Sequence, residues 1–172
     1  MAFSMYDASV PFCAQQLGAL ATIAGKAADH CATNKIEESA LLLDRLYPDM
    51  FCLARQFRQA ADFGCNTPGR LAGVAGPSFA ATDDTSFAAA KKRCDDALAF
   101  VNTLTRAQVE GSEDKVISWM AGGNERKMKG ADYLRQFALP NFFFIVTTAY
   151  DILRHRAVVI GKRDFLGPVS WL

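Results

Sequence analysis

The chain has 172 residues, 51% of them hydrophobic and 22% charged, with a formal net charge of +1. This is an ordinary globular balance, and it lacks the basic surplus that marks a nucleic-acid binder. Five cysteines, an odd count with no C-x-x-C pair, argue against a disulfide framework and against a zinc knuckle.

The first predicted element is a helix whose apolar seam is Val10, Cys13, Leu17, Leu20, Ala24 and Ala27, at alternating steps of three and four. Asp7 is its expected N-cap, Pro11 is tolerated near its start, and the Asn34-Lys35 loop ends it. A second helix repeats the pattern at Leu43, Leu46, Met50, Leu53, Phe57 and Ala60. Ser39 is its expected cap, with a kink or restart at Pro48 and weakening at Gly64 and Pro68-Gly69. A third is expected to open at Thr82-Asp83-Asp84 and to bury Phe87, Ala90, Cys94, Ala97, Val101 and Leu104, with one further turn over 105–111. Residues 115–129 read as a short β-hairpin turning at Gly122-Gly123. The fourth helix runs from about Gly130 to His155 on a seam of Leu134, Phe137, Asn141, Phe144, Thr148 and Ile152, kinked at Pro140, and the tail from Ala157 is irregular.

Residues 1–172 are thus expected to form a single all-α domain, a four-helix bundle with a short β-hairpin before the last helix. At this length a fold buries roughly 70% of the surface its unfolded chain exposes, enough to dispense with a metal or disulfides. No signal-peptide h-region and no run approaching a membrane span is present. The expectation is a cytoplasmic protein that binds neither membrane nor nucleic acid.

Two sets of polar residues stand on or beside the seams. Helix two carries Arg45, Asp49, Cys52, Gln56 and Gln59 as a stripe that faces either solvent or a central cavity. As an ordinary helix pair, Arg45 and Asp49 contribute about 0.3 kcal/mol. Helix four carries Asn141 and Thr148, two turns apart on one face. They either make local hydrogen bonds beside the Pro140 kink or line a pocket. The two histidines, His30 and His155, fall at helix C-termini, where the dipole accounts for them. No HxxxH, HxxE or ExxH occurs, and neither Gly122-Gly123-Asn124 nor the 73–76 loop ends as a phosphate loop does.

Longer phrases carry a resemblance: Phe137-Ala138-Leu139-Pro140-Asn141-Phe142-Phe143-Phe144 followed by residues 146–155, then Gly161-Lys162-Arg163-Asp164-Phe165-Leu166-Gly167, and Leu46-Tyr47-Pro48-Asp49-Met50-Phe51. The chain resembles the DUF1993 family, a branch of the DinB/YfiT-like superfamily, from Ser4 to Gly167. The resemblance implies an up-down-down-up four-helix bundle and a homodimer. It also implies, in many relatives, a divalent metal held by three histidines, in some of them for thiol transfer or hydrolysis. Here the positions that would carry the HxxxH pair are Ile145 and Ala149, and the stretch from Asp49 to Gln56 has no histidine.

The expected site is therefore a metal-free and cofactor-free pocket in the bundle core that takes a hydrophobic small molecule. Asp49 is the expected catalytic acid or base, its pKa raised by apolar neighbours, for an isomerase, dehydratase or cyclase reaction. Arg45, Gln56, Asn141, Ile145 and Thr148 would contact the substrate, with Trp119 and Tyr150 at the mouth. The alternatives are a non-catalytic binding or dimerisation module and a metal-dependent transferase or hydrolase with unusual ligands.

Overall fold

The structure is a computed structural model that describes residues 4–171. Its long helices are α1 (Val10–Asn34), α3 (Leu53–Ala72), α4 (Phe87–Val101) and α7 (Leu139–His155), with short helices α2 (Glu38–Leu42), α5 (Arg106–Val109), α6 (Gly130–Asp132) and α8 (Lys162–Leu166). α1 packs on α4, α4 on α3, α3 on α7 and α7 on α1, with a further α1–α3 contact across the middle. The expected four-helix bundle is present. Leu17, Leu20, Leu53, Phe57, Cys94, Ala97, Ile152 and Leu153 fill its centre with no solvent exposure to speak of.

α1 follows its predicted seam and ends on Lys35 in the left-handed conformation. Its N-cap position is Ser9 rather than Asp7. Asp7 instead pairs with Arg106 of α5 and accepts a 2.9 Å hydrogen bond from Ser4. α4 buries the whole expected seam from Phe87 to Val101, and Leu104 just beyond it. It starts later than expected, at Phe87, capped by the Ser86 hydroxyl, which accepts the Ala89 N–H at 3.1 Å. Ala81–Asp83 form a separate 3-10 turn. The hairpin is as expected: β1 (Val116–Ala121) pairs antiparallel with β2 (Asn124–Lys129) in a register that places Ala121 opposite Asn124, and Gly122 and Gly123 take positive φ in the turn.

Three expectations need correction for physical reasons. Of the kink or restart expected at Pro48 the chain makes the restart, but over a wider gap: α2 ends at Leu42, residues 43–52 run as a non-helical segment, and α3 begins at Leu53. A proline disfavours helical geometry in the residue before it and offers no N–H, so the apolar spacing of Leu43 and Leu46 is overridden, and both are exposed. Beyond the break, α3 continues unbroken through Gly64 and Pro68, both buried, and stops only at Gly73.

The second failure is one of phase. Tyr133–Ala138 form a π-helical turn between α6 and α7. Pro140 supplies no N–H to the Gln136 carbonyl and its ring crowds that group, and the wide turn spans that stretch. One additional residue in a turn rotates everything after it by ~100° relative to an unbroken helix. The predicted seam shifts in part: Phe144 is 61% exposed and Phe142, Ile145, Val146 and Ala149 face the core, while Thr148 and Ile152 of the expected seam stay buried.

The third concerns the tail. Lys162–Leu166 is helical and docks on α1 through a Lys26–Asp164 ion pair of 2.6 Å and a 2.7 Å hydrogen bond from the Gln15 amide to the Leu166 carbonyl. Among the described residues, no helix is long and apolar enough to cross a membrane.

Candidate functional site

The restart at Leu53 sets the phase of α3 and places Gln59, Asp62, Phe63, Asn66 and Arg70 along one side of it. These residues form one wall of a cleft of about 360 Å³. β1 supplies the opposite wall. Its alternation turns Ile117 and Trp119 inward, and the cleft is closed by Trp119, Met120, Ala121 and by Phe137 from the π turn. Trp119 stacks at 4.7 Å on Phe137 and at 5.1 Å on Tyr133, and Phe63 approaches Phe137 at 6.0 Å. The Trp119 indole is 8% exposed, and its buried N–H has no acceptor among the described residues. A buried donor left unpaired costs on the order of 1–3 kcal/mol, so this one is a feature to explain.

Two charged groups mark the cleft. Arg70 donates a 3.0 Å hydrogen bond to the buried Tyr133 hydroxyl and lies 6.0 Å from the Trp119 ring. Asp62 accepts a 3.3 Å hydrogen bond from the Gln59 amide. Burial holds the Asp62 carboxyl above the usual carboxylate range, against the pull of Arg58, Arg93 and Arg70, while Asp84 adds to the rise. The other arginines are engaged: Arg93, nearly fully buried, pairs with Asp84 and donates to the Ala80 carbonyl at 2.9 Å, and Arg58 lies 3.5 Å from the same Asp84 carboxylate. A carboxyl with an upward-shifted pKa exchanges protons more readily near neutrality than an ordinary surface aspartate. An arginine without an ion pair among the described residues is a ready anchor for an anion.

The residues expected to form a site are scattered. Asp49 is exposed on the 43–52 segment, away from any apolar enclosure. Arg45 is exposed and folds back to donate to the Met50 carbonyl. Gln56 is buried, with its amide donating to the Phe51 carbonyl at 3.2 Å and its side-chain oxygen without a partner among the described residues. Asn141 and Thr148 satisfy themselves locally, donating to the Phe137 and Phe144 carbonyls at 2.6 and 2.7 Å. Ile145 is packed in the core, and Tyr150 sits edge-on to Phe165 at 5.5 Å. Trp119 alone of the expected set lines the cleft.

Asp62, Asn66 and Arg70 were missed, although a signal existed. The polar stripe that ends at Gln59 continues through them at steps of three, four and four. Gly64 and Pro68 interrupt that stretch and obscure its helical character.

The residues present do not fit a histidine-ligated metal. Ile145 and Ala149 are buried hydrocarbon without lone pairs, and no group of three or more His, Cys, Asp or Glu converges among the described residues.

A family model described as a domain of unknown function, DUF1993, matches residues 5–166. The chain is also similar to a crystal structure of a DinB family member protein from Shewanella denitrificans, at 30% identity and a TM-score of 0.83, covering 97% of this chain and 94% of that one. No curated protein matches it.

Proposed function

The chain belongs to the DUF1993 family and has the DinB-like bundle fold, and on that footing we propose that it is a small-molecule enzyme that works by metal-independent acid–base chemistry in the α3–hairpin cleft. The observation that carries this reading is the partly buried Asp62 carboxyl in an aromatic-walled cleft that also holds Arg70. The cleft sets aromatic ring surface from Phe63, Trp119 and Phe137 beside a few convergent polar groups, Gln59, Asp62, Asn66 and Arg70, and polar groups placed to orient a ligand are a usual feature of ligand sites. Asp62 takes over the role expected of Asp49, because Asp62 is partly enclosed in the cleft whereas Asp49 is exposed on the 43–52 segment.

The simplest balanced reaction is an isomerisation. The Asp62 carboxylate removes a proton from one carbon of the substrate and the resulting acid returns it to a neighbouring carbon, so no further reactant is consumed. Dehydration and cyclisation use the same proton transfers. The test begins with a screen of small aromatic carbonyl compounds for ligands of the cleft. Each ligand is then incubated with the protein in heavy water, and deuterium incorporation is followed by NMR. Incorporation should be abolished in Asp62→Asn and retained in Asp49→Asn. Incorporation that survives Asp62→Asn removes Asp62 from the reaction.

One observation favours a second reading, a dimerisation module. Leu46 and Tyr47 of the 43–52 segment and Phe143 and Phe144 of α7 are exposed large apolar side chains, and Leu46, Phe143 and Phe144 line one open groove with Met50 and Thr148. A second copy of the chain would cover such a face. Sedimentation of Phe144→Asp against the unaltered chain separates the readings. A shift from dimer to monomer with intact deuterium exchange would make the face an assembly surface and leave the cleft as the site. Stoichiometric zinc, nickel or iron in protein purified without a histidine tag would instead support the metal-dependent alternative.

A further inference from the structure

We infer that the ligand of this cleft is a small, flat monoanion whose carboxylate is held by Arg70 and whose apolar body lies against Trp119 and Phe137. This rests on the reading of the cleft as a ligand site.

Three observations point to the ligand's class. The first is charge. Arg58 and Arg93 are taken up by Asp84, whereas the hydrogen bond made by Arg70 goes to a neutral hydroxyl, that of Tyr133 at 3.0 Å. A guanidinium carries five N–H donors in a planar fork, and the Tyr133 bond uses one of them. The remaining donors are shaped for the two oxygens of a carboxylate. The second is shape. Trp119 and Phe137 lie 4.7 Å apart with their rings tilted by 39°, and Phe63 lies a further 6.0 Å from Phe137, so the wall beside Arg70 is continuous ring surface against which a small aromatic or conjugated body can lie. At about 360 Å³ the cleft is near the small end of ligand sites. The third is the Trp119 indole, more than nine-tenths buried, whose N–H lacks an acceptor among the described residues and which itself lines the cleft. An oxygen of a bound ligand would be the acceptor that the described residues do not offer this N–H.

The same observations argue against a phosphate. Asp62 shares the wall with Arg70, two turns away or about 12 Å along the axis. Arg70 is the cation that the cleft lining supplies, so a single guanidinium balances the one charge of a carboxylate and leaves half the charge of a dianion unmatched, with Asp62 on the same wall.

The probes are phenylacetate and cinnamate, each paired with its neutral primary amide. The readout is the indole N–H resonance of Trp119 in the full chain, identified by its persistence in Trp171→Phe, which removes the exposed second tryptophan. The carboxylates should shift it saturably and bind at least about tenfold more tightly than the amides. Arg70→Gln should erase that preference, and Arg70→Lys, which keeps the charge but loses the fork, should fall between. Amides that bind as tightly as the carboxylates, or a preference that survives Arg70→Gln, would overturn the anionic class and leave the cleft reading standing. A Trp119 resonance that neither series moves would overturn both. Should Arg70→Gln fail to fold, the carboxylate-to-amide comparison on the unaltered chain still decides.

Discussion

The Arg70 guanidinium donates to the Tyr133 hydroxyl across 3.0 Å, tying the C-terminal half of α3 to the π turn that precedes α7. The bond joins two elements from distant parts of the chain. It also holds the one cleft arginine in place beside Trp119. Tyr133 is fully buried, and burial pushes its phenol above the ordinary value.

Tyr133→Phe removes the acceptor and keeps the ring. It should cost about 1 kcal/mol of stability, read as a lower urea midpoint with an unchanged slope. An unchanged midpoint would mean that the bond contributes nothing in solution.

Asp62 gives a pH-dependent prediction. Its carboxyl is held above the ordinary 3.8 by burial, so its favourable contribution is fully present below that value and is lost as pH rises through the folded-state value. Asp62→Asn stays neutral throughout. Its stability relative to the unaltered chain should therefore rise with pH from about 4 upward, in denaturation midpoints taken across the weakly acidic to neutral range. A difference that stays flat would place the Asp62 carboxyl at the ordinary value.

The opposite sign is expected at Asp7. Hydrogen bonds from Arg106 and Ser4, in that order, hold its carboxyl at about 2. Its contribution is present above the usual 3.8 and is lost as pH falls towards 2. Asp7→Asn should lower the thermal midpoint at neutral pH, and the gap should close as the acid limit is approached. Because the pair lies at the surface, high salt should narrow the gap as well.

Two glycines in helical segments should respond in opposite directions. A Cβ on Gly130 would overlap the Ser112 carbonyl oxygen and lie 3.4 Å from the Leu71 side chain, while the Gly130 N–H is pinned to the Lys115 carbonyl at 2.9 Å. Backbone cannot give way there as a side chain can, so Gly130→Ala should cost about 3 kcal/mol or yield no soluble protein. A Cβ on Gly25, within α1, meets nothing within 4 Å. Gly25→Ala should gain about 1 kcal/mol through the lower backbone entropy of the unfolded chain. Equal effects at the two positions would contradict the packing described for the hairpin-to-helix junction.

Much of the bundle was legible. The seams of α1 and α4 lie in uninterrupted helices, so spacing translated directly into burial at Leu17, Leu20, Ala90 and Ala97. The hairpin was legible because a Gly-Gly turn accepts positive φ at both residues. The site was much less so. Asp49 looked like part of a helical stripe because Leu46, Met50 and Leu53 keep the right spacing, and Pro48 breaks the helix that the spacing implies.

Local chemistry along the chain was sufficient to determine an all-α bundle with a hairpin, the identity of most core residues, and a family resemblance in which Ile145 and Ala149 stand where histidines are expected. Those properties depend on periodicity and residue type, and both survive small errors in helix boundaries. The site depends on phase between elements, which does not survive them. The break before Leu53 removes Asp49 from the helix that carries Asp62, and the π turn at Tyr133–Ala138 shifts part of the apparent seam of α7. Only the packed structure brings Asp62 and Arg70 of one helix against Trp119 of a strand and Phe137 of the turn, residues separated by about fifty to seventy-five positions in the chain.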